Sequence, residues 1–230
     1  MLITITSLVL TLIGQPSSAQ AERIAEARRL DACIAKLDTD PEQAYEDGLT
    51  WVNEGGRPYA RQCTALALVE LGQAAEGAVR LEDLANAANG GSLAQRIIYL
   101  TQSGNAWLLA GAPEAALVTL GNAIKLSPTD PSLKADRAAA YMALGDWRSA
   151  ANDLDEAQLN QPRDVGVLRM RAETRLNLND LSGAERDVNA AMEIDDTNIT
   201  TLLLRGRVRE AQRLASVEAP IESLTPNPSR

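Results

Sequence analysis

Residues 104–128 read GNAWLLAGAPEAALVTLGNAIKLSP, and residues 138–162 read AAAYMALGDWRSAANDLDEAQLNQP. At a shift of 34 they place Gly111 on Gly145, Ala116 on Ala150, Leu120 on Leu154, Ala123 on Ala157 and Pro128 on Pro162. A second shift of 34 reaches Asn179, Ala184, Val188, Ala191 and Asp196, while Gly104, Ala138, Ala172 and Gly206 form one further column of small residues. A fixed period of this length marks a chain of supersecondary units that bury a continuous core by stacking.

Each unit reads as two helices. Gly111 ends the first, because glycine takes the left-handed conformation that closes a helix C-terminus. The second helix carries Ala116, Leu120 and Ala123 at spacings of four and then three, which puts them on one face. Small residues there let two helices approach closely. Pro128 and Pro162 stop the second helix, since proline lacks the backbone donor and clashes with the preceding turn.

The series Gly104, Trp107, Gly111, Ala116, Leu120, Ala123, Pro128 resembles the tetratricopeptide repeat, and so does Ala138, Tyr141, Gly145-Asp146-Trp147, Ala150, Leu154, Ala157, Pro162. A third copy departs from the pattern, with Arg175 for the aromatic, Asn179 for the turn glycine and Asp196 for the proline. The resemblance implies an all-α, right-handed superhelical solenoid of antiparallel helix pairs with a C-terminal capping helix. Its units are a divergent helix pair at 22–57, a degenerate unit at 58–91, and fuller units at 92–130, 131–164 and 165–198. A cap at 199–215 follows, and a tail at 216–230 whose prolines and small polar residues predict disorder. Two helix starts are marked by capping boxes, Asp40-Pro41-Glu42-Gln43 and Ser92 with Gln95, the latter after the break Asn89-Gly90-Gly91.

Composition narrows the chemistry. There is no Phe, aromatics are 3%, and there is no His, which removes the commonest general base and metal ligand together. A net charge of −9 argues against a nucleic-acid binder. No phosphate-binding glycine loop and no activated nucleophile is recognisable, so no enzyme, cofactor or metal site is expected. The carboxylate pairs Asp153/Asp155 and Asp195/Asp196 read as solvated helix faces or turn residues. From Arg163 to Arg213 nine basic residues balance nine acidic ones, so almost all the negative excess lies upstream. Those arginines are read as solubilising positions, or as a surface for partners bearing carboxylates.

The uncharged apolar run from Leu2 to Ile13, followed by Pro16 and Ala19-Gln20-Ala21, has the form of a secretory signal peptide (residues 1–21) cleaved after Ala21. It is too short to span a bilayer. The expectation is a periplasmic or secreted protein with no transmembrane span once processed. In stacked units the first helices touch, so Cys33 and Cys63 fall on neighbours about one turn out of equivalence. One disulfide between them is expected; two buried thiols are the alternative.

The resemblance further implies that the first helices line a concave face that holds a peptide. Thr101 and Asn105, then Arg169, Glu173 and Asn177, then Arg207 on the cap lie along it at helical spacing, with Asp136 between. The basic clamp that some family members use for an acidic C-terminal peptide is not reproduced, because Asp136, Gly166 and Met170 occupy its places. The function expected is a non-catalytic scaffold for a protein or peptide partner. The second reading is an assembly protein that forms homo-oligomers or docks on an envelope complex through its helix edges.

Overall fold

A computed structural model describes residues 17–55 and 58–222, the side chains of 218–222 excepted. Among these residues there are eleven helices and no strand: α1 (Ser18–Leu37), α2 (Pro41–Asn53), α3 (Pro58–Glu70), α4 (Ala74–Asn86), α5 (Leu93–Leu109), α6 (Pro113–Leu126), α7 (Pro131–Ala143), α8 (Trp147–Asn160), α9 (Val165–Asn177), α10 (Leu181–Ile194) and α11 (Ile199–Glu222). Each even-numbered helix packs on the helix before it and the helix after it. The odd-numbered helices also meet one another, α1 with α3, α5 with α7, α7 with α9 and α9 with α11. This is a solenoid of helix pairs, with first helices odd and second helices even.

The turn inside four of the five pairs, all but α1–α2, repeats to the level of single hydrogen bonds. Gly72, Gly111, Gly145 and Asn179 all have positive φ, 78°, 71°, 72° and 61°. The next N–H donates to the carbonyl five residues back: Gln73 to Leu68, Ala112 to Trp107, Asp146 to Tyr141 and Asp180 to Arg175, all at 2.8–2.9 Å. Together they satisfy carbonyls that a helix end leaves free. Asn179 does the work of glycine because asparagine enters the left-handed region at low cost.

The small columns explain how closely the helices pack. A Cβ added at Gly104 would lie 2.5 Å from Cγ of Leu120, so the leucine occupies the space that the missing side chain leaves. Ala116, Ala123, Ala150, Ala157, Ala184 and Ala191 are fully buried, as are Leu120 and Leu154. At the break before α5, the Arg96 guanidinium donates to the carbonyls of Ala85 and Ala87 at the end of α4. Ser92 and Gln95 form the reciprocal capping box there.

Three local expectations are corrected. Asp40 caps α2, but the Gln43 amide turns away from the cap and donates to Asp47 at 2.9 Å, so no box closes. The terminal helix does not stop at residue 215. It runs on to Glu222: Arg213, where the other units carry their turn residue, stays helical. Of the tail expected to be disordered, 216–222 is therefore helical, and 223–230 lies outside the described residues. The leader's apolar run also lies outside them. Ser17 caps α1, whose first turn begins at Ser18. Cys33 on α1 and Cys63 on α3 are disulfide-bonded, with Cα atoms 6.0 Å apart. No helix among the described residues is long and apolar enough to cross a membrane.

Candidate functional site

The expected groove residues fall into two clusters on successive first helices. In the first, Asn105 of α5 hydrogen-bonds Asp136 of α7. Burial pushes the Asp136 carboxyl up to about 6, with Asp130 adding to the rise and Asn105 opposing it. Thr101 stands one turn before Asn105, and its hydroxyl donates to the Ile97 carbonyl at 2.9 Å, bonding its own helix. In the second cluster, Arg207 of α11 pairs with Glu173 of α9 at 2.8 Å, both partly exposed. Arg169 donates to the Thr200 hydroxyl at 2.8 Å, and Asn177 returns its amide to the Glu173 carbonyl. Glu173 and Arg207 cancel each other. Arg169 keeps its charge, since its hydrogen-bond partner is neutral.

A second polar system lies between helices. Arg137 on α7 makes a bidentate pair with Asp153 on α8, both bonds 2.7 Å. One unit on, Arg171 does the same with Asp187, at 2.9 and 2.6 Å, and Arg175 adds a third bond to Asp187 at 2.7 Å. Asp153 and Asp187 are 5% and 3% exposed. The reading of Asp153 as a solvated face is thus corrected, as is that of Arg171 and Arg175 as solubilising charges. The Asp153 carboxylate holds the Arg137 guanidinium above its ordinary range. The signal was present: Arg and Asp sixteen apart, repeated after 34 residues.

Acids from the preceding unit complete this system. Asp155 of α8 accepts from Arg171 and Arg175 of α9 at 3.3 and 3.2 Å. Glu82 of α4 accepts from Trp107 of α5 at 2.9 Å, and from the Ser103 and Thr119 hydroxyls. Glu82 and Asp155 each follow the buried leucine of their helix, Leu81 and Leu154. Each grips two residues one turn apart on the next first helix.

Two of the recesses in the N-terminal units, away from the expected groove, are lined in part by α1. One of about 250 Å³ borders the disulfide and is lined by Arg29, Lys36, Asp47 and Trp51. Arg29 stands over the Trp51 ring, 4.7 Å from its centroid, and pairs with Glu54 at 2.6 Å. The other, about 220 Å³, is lined by Arg23, Glu26, Pro58, Tyr59, Gly91 and Gln95, from α1, α3 and the approach to α5. Sequence reasoning missed both, since each depends on which side chains three helices bring together. Among the described residues no group of three or more carboxylates or cysteines is arranged to hold a metal ion.

Comparison with known proteins agrees with this architecture. Residues 108–174 match the family model described as tetratricopeptide repeat. No curated protein matches the chain. Among solved structures, MamA (41-end) from Desulfovibrio magneticus RS-1 is similar over 81% of this chain and 99% of its own, with a TM-score of 0.60 and 16% identity. A tetratricopeptide repeat protein from Parabacteroides merdae matches over 74% of this chain and 60% of its own, with a TM-score of 0.56 and 19% identity. The first such domain of Spaghetti (RPAP3), solved with an HSP90 peptide, matches over 52% of this chain and 94% of its own, with a TM-score of 0.50 and 22% identity. At these identities the likeness is one of fold.

Proposed function

We propose that this chain is a non-catalytic protein-binding scaffold of the cell envelope, whose first helices present a groove to a peptide carrying carboxylates. The observation that carries the reading is Arg169, a guanidinium left uncompensated beside the mutually paired Glu173 and Arg207. A carboxylate reaching Arg169 gains a charge-assisted bond without breaking an ion pair. The peptide held by the Spaghetti domain, on the same fold, supports the mode of binding.

Peptides selected from a random display library on the wild-type chain test this. Arg169→Glu with Arg207→Glu should weaken their binding tenfold or more while the melting temperature stays nearly unchanged, since an exposed ion pair contributes at most about 1 kcal/mol. Undiminished binding by the double variant would remove the groove. Asp136 gives a second test. Its carboxyl is ionised at pH 7 and protonates as pH falls through about 6, withdrawing negative charge from the face. Acidic peptides should therefore bind more tightly at pH 5 than at pH 7, and Asp136→Asn should flatten that difference.

Export is part of the proposal. A disulfide persists in oxidising compartments, which supports it. Cleavage after Ala21 would remove the Ser17 cap but leave Glu22 in the new first turn, where the helix dipole favours an acid. The intact mass of native protein, purified without reductant, should correspond to a chain from Glu22 lighter by two hydrogens. A full-length, reduced chain would end the envelope reading.

A further inference from the structure

The last helix is half of a unit. α11 occupies the place of a first helix, packing on α9 and α10 through Leu204 and Val208. In the four pairs from α3–α4 to α9–α10 the chain turns back at a positive-φ residue and lays a second helix along the first. In α11 the corresponding position is Arg213, and the helix passes straight through it to Glu222. The second helix of this unit therefore cannot fold back in the register of the others.

The face it would cover is open and still carries the repeat's contact residues. Leu202 is 37% exposed, whereas its counterpart Leu168 is 2% exposed. Gly206 stands in the small column of Gly104 and Ala172. At Gly104 an added Cβ would strike Leu120, but at Gly206 it would meet nothing within 4 Å. The notch that takes a leucine or valine elsewhere is vacant here.

The charges say what would fill it. Arg205 and Arg209 lie 34 residues after Arg171 and Arg175, the two guanidiniums that share Asp187 of the second helix α10. In α9 they also receive Asp155 from the preceding unit. For α11 that position is the neutral Asn189, which follows Val188 as Asp155 follows Leu154. Arg205 and Arg209 thus have neither acid. Two copies of this face would set arginines against arginines, which disfavours self-pairing.

We propose that the open face of α11 binds an acidic amphipathic helix from another protein, which completes the unit. Its apolar ridge carries a leucine or valine for the Gly206 notch, and the residue before it is an aspartate or glutamate that bridges Arg205 and Arg209. Small residues three or four positions away allow close approach, as Ala184 and Ala191 do on α10. This surface is distinct from the Arg169 groove, because Arg207 points to the opposite side of α11 from Arg205 and Arg209 at 100° per residue.

The chain's own α10 is the natural probe. A labelled peptide of residues 180–194, the helix with its Asp180 cap, should bind the intact protein saturably, with affinity limited by the helix formation it must undergo. Asp187→Asn in the peptide should weaken binding about tenfold, the loss of a charge-assisted bidentate contact. Gly206→Leu in the protein should block binding by filling the notch. Arg205→Glu with Arg209→Glu should abolish binding of the native peptide and restore it for the Asp187→Arg peptide. Arg169→Glu with Arg207→Glu should leave it unchanged, which separates this site from the groove. No saturable binding at millimolar peptide, or binding indifferent to Gly206→Leu, would overturn the proposal. So would a dimer of the free protein that Gly206→Leu dissociates, since a second copy would then hold the face.

Discussion

The N-terminal pair and the last two complete pairs solve one packing problem with different chemistry. Around α1 to α3 the core is built from Trp51, Leu37 and the cystine, with Tyr45 and Tyr59 packed against it and Arg29 stacked on Trp51. Around α7 to α10 the buried residues are mostly alanine with single leucines and valines, and the large side chains crossing between helices are arginines paired with aspartates. Alanine faces bring backbones close but bury little apolar area per residue. In α7–α8 and α9–α10 a bidentate ion pair at one fixed place joins the two helices of the hairpin. Between α1 and α3 a covalent bond ties the first helices of neighbouring units.

The difference makes opposite demands on solvent conditions. Asp187→Ala leaves Arg171 and Arg175 to the exposed Asp155, with Asp180 3.8 Å from Arg175, and should destabilise the C-terminal units by about 3 kcal/mol. Denaturant unfolding followed by hydrogen exchange should show early opening of α9 and α10 with α1 to α3 still protected. A loss below about 1 kcal/mol would mean the buried pair only breaks even against its desolvation, as such pairs can. The contrast between the two ends would then rest on apolar packing alone.

Reduction attacks the other end. The cystine closes a loop with a sequence separation of 30, and a cross-link of that span should stabilise by about 3 kcal/mol. Dithiothreitol, or Cys33→Ser with Cys63→Ser, should lower protection in α1 and α3 and leave α7 to α10 unchanged. A uniform drop along the chain would show that the units unfold as one block, and that the local difference in chemistry has no local consequence.

How much of this was legible follows from which residues act locally. The solenoid was, because turn and small-residue columns state their role through backbone geometry: Gly111, Gly145 and even Asn179 stand where the positive φ values are. The polar staples were not, because an aspartate on a helix reads as solvated until the helix sixteen residues back is laid against it. Gln43 failed for a similar reason, with Asp47 competing one turn away. Of the groove, the sequence placed residues on first helices; it did not give the pairing of Glu173 with Arg207 that leaves Arg169 as the charged member. The length of α11 was readable in principle, since Arg213 stands where a turn residue is needed.

The smallest expected effect tests whether the inter-unit acid is a transferable part of the repeat. Glu82 and Asp155 grip the next first helix, but the residue after Leu120 is Gly121, half-buried, so the junction between α6 and α7 has no such grip. The positions it would reach, equivalent to Ser103 and Trp107, are Arg137 and Tyr141. A Cβ at Gly121 meets nothing within 4 Å, so a side chain can enter without strain. Gly121→Ala should stabilise by about 1 kcal/mol through helix propensity alone. Gly121→Glu should match that through its backbone term and add about 0.5–1 kcal/mol from a charge-assisted bond to Arg137, discounted because Asp153 already holds it. The informative quantity is the difference between the two variants in urea midpoint at equal m-value. If glutamate is no better than alanine, Glu82 and Asp155 are separate accommodations to Trp107 and Arg175, and only the staple shared by α7–α8 and α9–α10 recurs with the repeat.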